Sequence, residues 1–312
     1  MFEQLLNGTT EGLIWGLLAL GFYIAFRLLD FADMTCEGSF VLGGATFALL
    51  TFSGVNPFLA TVLSFVFGSL AGMFTGFLHT KLKIPPILSG ILTMTALYSI
   101  NLHIMGPIKG ALTNPTVAIP KDDKIVTILK QFLPMTNRDL TLLFTLVVVL
   151  LMIGFLYWFF GTELGCAIRA TGTNEKMCRA QGINTDTTKI VGLALANGLI
   201  ALSGCIYSQY TSLADVKLGI GSIVIGLAAI IIGEAVFAWA KNFFLRLLGI
   251  VIGAIIYRVI LAMIIYFGLP SEDMKLFTAL IVIVALGLMS CKGQIKAFFT
   301  RLFGKKKAEV DK

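Results

Sequence analysis

A chain of 312 residues that is 57% hydrophobic and only 13% charged, with a mean hydropathy of +0.91, is excluded from the soluble globular class. Several apolar runs are long enough to cross a bilayer, so the expected fold is an all-α polytopic membrane protein forming a single transmembrane domain over 1–312. The net charge of +7 sits in loops and tail, where it reads as a topology signal facing lipid and water rather than as a nucleic-acid surface.

Hydropathy predicts nine crossings in chain order: Gly12 to Leu29, Gly38 to Ser53, Pro57 to His79, Pro85 to Gly106, Leu140 to Phe160, Ile190 to Tyr210, Gly219 to Trp239, Leu247 to Gly268 and Leu276 to Cys291. The residues before the first run are acidic and lack a basic n-region, so that run is read as a true span and not a cleavable signal. The second run is short enough to be re-entrant or tilted. In the fourth, Thr93, Thr95, Tyr98, Ser99 and Asn101 form a polar stripe with an aromatic beside it. It suits either a passing amphipathic solute or hydrogen bonding between helices, and Asn197 in the sixth run invites the same two readings.

Between the fourth and fifth runs, 107–139 contains Pro107, Pro115, Pro120 and Pro134, so an irregular extracellular cap is expected. It is either a surface for an external receptor or a solvated connection. The polar stretch 161–189 lies between two spans and carries Arg169, Lys176, Arg179 and Lys189, which the positive-inside rule assigns to the cytosol. Strict alternation then places the N-terminus outside and the C-terminus inside. Lys81, Lys83, Lys241, Arg246 and the basic residues of 292–312 fall on the same inner side. Within the loop a short helix is expected from Asn174 to Gln181, with Asn174 as N-cap, Glu175 in the first turn and Gly182 as the stop. The tail 292–312 is expected to lie along the inner leaflet as a basic amphipathic helix.

Ala32-Asp33-Met34 followed by Gly38-Ser39-Phe40-Val41-Leu42-Gly43 is echoed by Ala214-Asp215-Val216 followed by Gly221-Ser222-Ile223-Val224-Ile225-Gly226. With the first copy at the cytosolic face and the second at the outer face, this is the pattern of an inverted repeat, the geometry that alternating access requires. Chance similarity of Gly-rich apolar segments is the rival. Small residues four apart, as in Gly68, Gly72 and Gly76, are expected to let helices approach closely.

The residues Arg169, Ala170, Gly172, Asn174, Glu175, Arg179, Ala180 and Gly182, followed by a Gly/Ala-rich helix, resemble the coupling loop of ABC importer permeases of the branched-chain amino acid, ribose and nucleoside group. The similarity extends to GLIWGLLALG at Gly12, LDFADMTCEGSF at Leu29, HTKLKIPPILSGILTMTALYSINLHIMG at His79 and IGLAAIIIGEA at Ile225. Together these motifs look like the bacterial subgroup labelled tryptophan/tyrosine-type. The resemblance implies a plasma-membrane subunit that imports a small solute, with amino acids, aromatic ones included, as the class. It also implies a separate cytosolic ATP-binding subunit, an external substrate-binding lipoprotein and a second permease copy, most simply a homodimer.

No phosphate loop, HExxH or paired-carboxylate arrangement is present, so ATP hydrolysis is expected on a partner, with no resident cofactor or metal. Five cysteines, Cys36, Cys166, Cys178, Cys205 and Cys291, lack metal-ligand spacing and are expected as free thiols. The remaining signal is intramembrane charge. Arg258 lies mid-span and Glu234 near the cytosolic end of the preceding run, an offset of about 10 Å at 1.5 Å per residue. An ion pair between them competes with Asp33 or Glu37 as partners of Arg258, and all four are candidates for pathway lining or structural glue. An ion-coupled secondary carrier is the alternative function. It needs no compact polar loop, and an intramembrane enzyme would need a converging catalytic set that the chain lacks.

Overall fold

The computed structural model describes residues 2–120, 124–130, 136–237, 242–266 and 274–290. In chain order its helices are α1 (Phe2–Phe22), which opens into a wider π-helical turn at Tyr23–Leu28, then α2 (Cys36–Phe52), α3 (Pro57–Lys81) and α4 (Pro86–Met105). They continue with α5 (Ile125–Lys130), α6 (Asn137–Phe159), α7 (Glu163–Thr173), α8 (Glu175–Ala180) and α9 (Thr185–Thr211). The last are α10 (Ser222–Val236), α11 (Phe243–Tyr266) and α12 (Met274–Ser290). The expected tail helix over 292–312, and Cys291, lie outside the described residues.

Seven of these stretches are long and apolar enough to cross a membrane: α1 with its π turn, α3, α4, α6, α9, the Val216–Val236 stretch containing α10, and α11. The polytopic all-helical class holds. Of the nine expected crossings, α2 and α12 have 17 described residues each, short of the roughly 20 that a perpendicular span needs.

Local chemistry sets where the helices begin. Asn56 accepts from the Phe58 amide at 2.9 Å and Pro57 takes the first helical position, so α3 starts there. Asn184 accepts from the Asp186 and Thr187 amides at 3.2 Å each and starts α9. Inside the apolar helices, hydroxyls return their protons to the preceding turn, as Thr46 does to the Leu42 carbonyl at 2.7 Å and Ser64 to Ala60 at 2.9 Å. Lipid offers no alternative acceptor, so these bonds keep polar side chains cheap.

Helix packing has an internal symmetry. α3 lies along α9 as α11 lies along α1, α2 packs on α9 and α3 as α10 packs on α1 and α11, and α4 meets α2 as α12 meets α10. Exchanging the sets α1 to α4 and α9 to α12 therefore preserves the neighbour relations. α1 and α9 run antiparallel, since Ser203 donates to the Ile14 carbonyl while Gly21 abuts Ala196 and Ile200. The equivalent glycines follow the exchange: a Cβ on Gly43 of α2 would collide with the Ala201 carbonyl of α9, and one on Gly226 of α10 would lie 2.5 Å from Phe22 of α1. These contacts support the repeat as inverted, against chance similarity.

The first copy is not where strict alternation put it. Asp33 is fully buried and bonds Asn197 near the midpoint of α9, so the segment after the π turn dives back into the bundle instead of staying at the face. The described parts of 107–139 hold more regular structure than an irregular cap. Its Thr116–Ala118 strand, β1, pairs antiparallel with Leu213–Asp215, β2, with Thr116 opposite Asp215. Val117, Ile119 and Ile125 are buried beneath it.

Close backbone approach makes a clear prediction. Gly43→Ala and Gly204→Ala, the latter forcing a methyl against the Phe40 carbonyl, should each destabilise by about 1–3 kcal/mol or more. Gly154→Ala, whose Cβ would meet nothing within 4 Å, should be stabilising by up to about 1 kcal/mol from helix propensity. Thermal unfolding of the detergent-purified chain reads both, and equal melting shifts in the two classes would contradict the packing.

Candidate functional site

The polar loop folds as a braced knob. Thr162 caps α7, accepting from the Gly165 amide at 3.3 Å. Asn174 breaks the helix with an extended backbone and caps α8 through the Met177 amide at 3.0 Å. Gly182, at φ +83°, ends it in the left-handed conformation that glycine adopts without strain. The expected short helix, its cap and its stop are all present.

What holds α8 down is a network across three helices. Arg179 donates to Glu175 and Asp186 at 2.9 Å each and to the Thr185 hydroxyl at 2.7 Å. Lys189 of α9 donates to the other Glu175 oxygen at 2.8 Å and reaches His79 Nε2 of α3 at 3.2 Å. His79 Nδ1 lies 2.8 Å from the Ile84 carbonyl, a contact that requires a proton there and leaves Nε2 to accept from Lys189. Nothing local in the sequence marks Lys189, Asp186 and His79 as bracing residues. They are lone polar residues at the ends of apolar runs. Arg169 lies exposed over the Phe243 ring at 5.5 Å, while Lys176, Met177, Ala180 and Gln181 face outward. Ala170 and Gly172 are half-buried on the inner side, and a Cβ on Gly172 would collide with the Leu28 carbonyl, so α7 sits directly on the π turn of α1.

A second constellation lies deep in the bundle, where α2 and α10 begin. Asp33 accepts from the Thr35 amide at 2.9 Å and from Asn197 Nδ2 at 2.6 Å, and Asn197 Oδ1 accepts from Ser39 at 2.7 Å. These groups are fully enclosed and pin the start of α2 to α9. Glu37, one residue into α2, accepts from the Gly221 amide at the start of α10 at 2.8 Å. The two repeat copies thus touch at their helix starts. Beside this contact opens a cleft of about 260 Å³ lined by Glu37, Val41, Thr95, Tyr98, Asn101 and Ile220 among others. Thr93 is buried and does not line the cleft, returning its hydroxyl to the Ser89 carbonyl at 3.0 Å.

None of the candidate partners of Arg258, Glu234, Asp33 or Glu37, pairs with it. Glu234 pairs with Arg27 of the π turn at 2.9 Å, and Arg258 pairs with Glu11 of α1 at 3.3 Å while stacking over Trp15 at 4.5 Å. Neither Asp33 nor Glu37 is the partner of Arg258. The reason is helix adjacency: α11 runs antiparallel along α1, bringing Arg258 to the beginning of α1 and away from the end of α10. Four cysteines, Cys36, Cys166, Cys178 and Cys205, are free thiols.

The hydrogen bond from Lys189, helped by the charges of Lys189 and Arg179, lowers the pKa of Glu175 below its ordinary 4.5 against a smaller opposing effect of burial. A carboxylate with a lowered folded pKa contributes stability above its ordinary value and loses it as pH falls through the lowered one. The bracing of α8 should therefore weaken as pH drops below about 4.5. Amide hydrogen exchange over 174–182, corrected for intrinsic rates, should accelerate there in the native chain. In Glu175→Gln it should already be fast and nearly independent of pH across that window.

The chain is similar to known proteins along nearly its whole length. The family described as branched-chain amino acid transport system / permease component matches residues 4–286. The tyrosine transport system permease protein of Clostridioides difficile (strain R20291) is 36% identical over 278 residues, covering 89% of this chain and 88% of that protein. The ribose import permease protein RbsC of Bacillus subtilis (strain 168) is 26% identical over 262 residues, covering 81% and 74%. The probable branched-chain amino acid transport permease protein LivH of Methanocaldococcus jannaschii is 30% identical over 195 residues, covering 60% of each. No solved structure matches. With a polytopic helical bundle, a braced polar knob and a family match spanning residues 4–286, the chain belongs to the branched-chain amino acid transport permease components, the non-enzymatic membrane subunits of ABC transporters that work with a separate ATP-binding subunit.

Proposed function

We propose that this permease imports an amino acid, with aromatic side chains in the accepted class, and that α7 and α8 are the element gripped by the cytosolic ATPase. The supporting observation is the seat of Gly172 on the Leu28 carbonyl. It joins the knob, without an intervening side chain, to the π turn that leads into Asp33 and the start of α2. A displacement of α7 is thereby passed to a place where two helix starts meet inside the bundle. Contiguous, tightly packed elements are what carry coupling between sites. Similarity to a protein named for tyrosine transport supports the cargo class.

The same reading puts 161–189 in the cytosol with the N-terminus outside and the C-terminus inside, and makes 107–139, tied down by β1 and β2, the surface offered to an external lipoprotein receptor. Two copies of the chain form the pore in a bacterial plasma membrane. The solute path runs past Glu37, Thr95, Tyr98 and Asn101, while Asp33 and Asn197 stiffen the start of α2 and Thr93 stays bonded within α4. Glu234 and Arg258 act as ion-paired struts beside the path.

Coupling and assembly separate experimentally. In proteoliposomes holding permease and ATPase, Gly172→Val should cut ATP-driven uptake at least about tenfold while the ATPase remains bound, because the rigid link and not the gripping surface is damaged. Lys176→Glu with Met177→Glu should instead release the ATPase. Uptake driven by an ion gradient without ATP, or full coupling in Gly172→Val, would contradict the proposal.

A further inference from the structure

We propose that the cleft between α2, α4 and the Val216–Ile220 segment recognises the α-ammonium group of the solute, with the Glu37 carboxylate and Asn101 Oδ1 as its acceptors. The inference rests on the amino-acid importer reading and adds the atoms that recognise the cargo.

Asn101 is 1% exposed, and its Nδ2 donates to the Gly38 carbonyl at 3.2 Å. That bond dictates the orientation of the amide, because the flipped form would set two oxygens against each other. Oδ1 is consequently the end left over, and it is buried with no hydrogen-bond partner. Buried polar atoms are almost always satisfied, and an orphaned acceptor beside a cavity marks a place for a donor. Glu37 supplies the second acceptor. One of its oxygens takes the Gly221 amide, yet a carboxylate has about four lone-pair positions, and no other hydrogen bond or ion pair to Glu37 is found among the described residues.

Two acceptors without a fixed counter-charge select a cation that carries several N–H donors. An ammonium group has three such donors and a full charge, whereas a sugar hydroxyl brings one proton and no charge. The rest of the lining fits the remainder of an amino acid: Tyr98, Met94, Val41 and Ile220 give an aromatic and apolar wall, and Thr95 a hydroxyl. At about 260 Å³ the cleft holds one small solute. Because Glu37 also ties α2 to the start of α10, an ammonium that draws on its charge loosens the contact between the two halves of the repeat. Cargo recognition and the tie between α2 and α10 therefore share one carboxylate.

The test uses the permease with its ATPase in nanodiscs and no receptor, with tritiated L-tyrosine and L-leucine as probes. Wild type should bind at least one of them, and Glu37→Gln and Asn101→Leu should weaken that binding about tenfold or more. Glu37→Asp, which keeps a carboxylate at that position, should retain binding, so that loss in Glu37→Gln is not misfolding. Tyramine, which keeps the ammonium and lacks the carboxylate, should compete with tyrosine, and 3-(4-hydroxyphenyl)propionate, which lacks the ammonium, should not. Wild-type affinity in Glu37→Gln, equal competition by the two analogues, or no binding of either probe to wild type would each overturn the site. ATP hydrolysis in the same samples separates the two readings: a failed site with normal permease-dependent hydrolysis leaves the importer reading standing, and absence of that hydrolysis in wild type removes the importer reading itself.

Discussion

An interrupted helix in lipid leaves backbone amides and carbonyls with no water to satisfy them, and that constraint governs the interior of this protein. α2 and α10 both begin inside the bundle, the first start supplied with a local acceptor two residues back and the second with one from α2. Asp33 takes the Thr35 amide and is itself held by Asn197, while Glu37 takes the Gly221 amide. Removing any of these carboxylates or amides would leave a buried polar group unmatched at about 1–3 kcal/mol apiece. Asp215 repeats the local device in the second half, accepting from the Lys217 amide at 2.7 Å as Asp33 accepts from Thr35.

Around these starts the helices are locked by backbone contact. Gly43 and Gly204 bring α2 and α9 together with no room for a methyl group, and Gly68 and Gly72 do the same for α3 and α9. With lipid on the outside as apolar as the helix surfaces, close packing and a few hydrogen bonds are what hold such an assembly. The rigid part is thus α2, α3 and α9. The cleft, by contrast, is bounded on one side by the short 3₁₀ turn Val216–Gly219, a loop element suited to absorbing a change in backbone angle.

Charge is distributed by the same logic. At the knob, Glu175, Arg179, Asp186 and Lys189 are partly exposed and each pair contributes little alone, but together they join α8 to α9, and the contact of Lys189 with His79 adds α3. Inside, Arg258 is 8% exposed and depends on Glu11 and the Trp15 ring for its charge. A cation at that depth needs both an opposite charge and a polarisable face.

Much of this was legible in the chain as written. Apolar run length fixes the helical class, and Asn174 and Gly182 announce the ends of the knob's short helix because caps and stops act within four residues. The paired Asp and Gly-Ser motifs announced the repeat. What local reading missed was partnership. Arg27 meets Glu234 across 207 positions of chain, and Asn197 meets Asp33 across 164. The dive of Asp33 to the middle of α9 likewise has no signature in hydropathy, since a re-entrant segment and a surface turn contain the same residue types. Caps, periodicity and apolar length are properties of neighbouring residues and were set by the sequence alone. Which charge finds which, and how deep a broken helix begins, depends on the helices that happen to lie alongside, and only the packed bundle decided that.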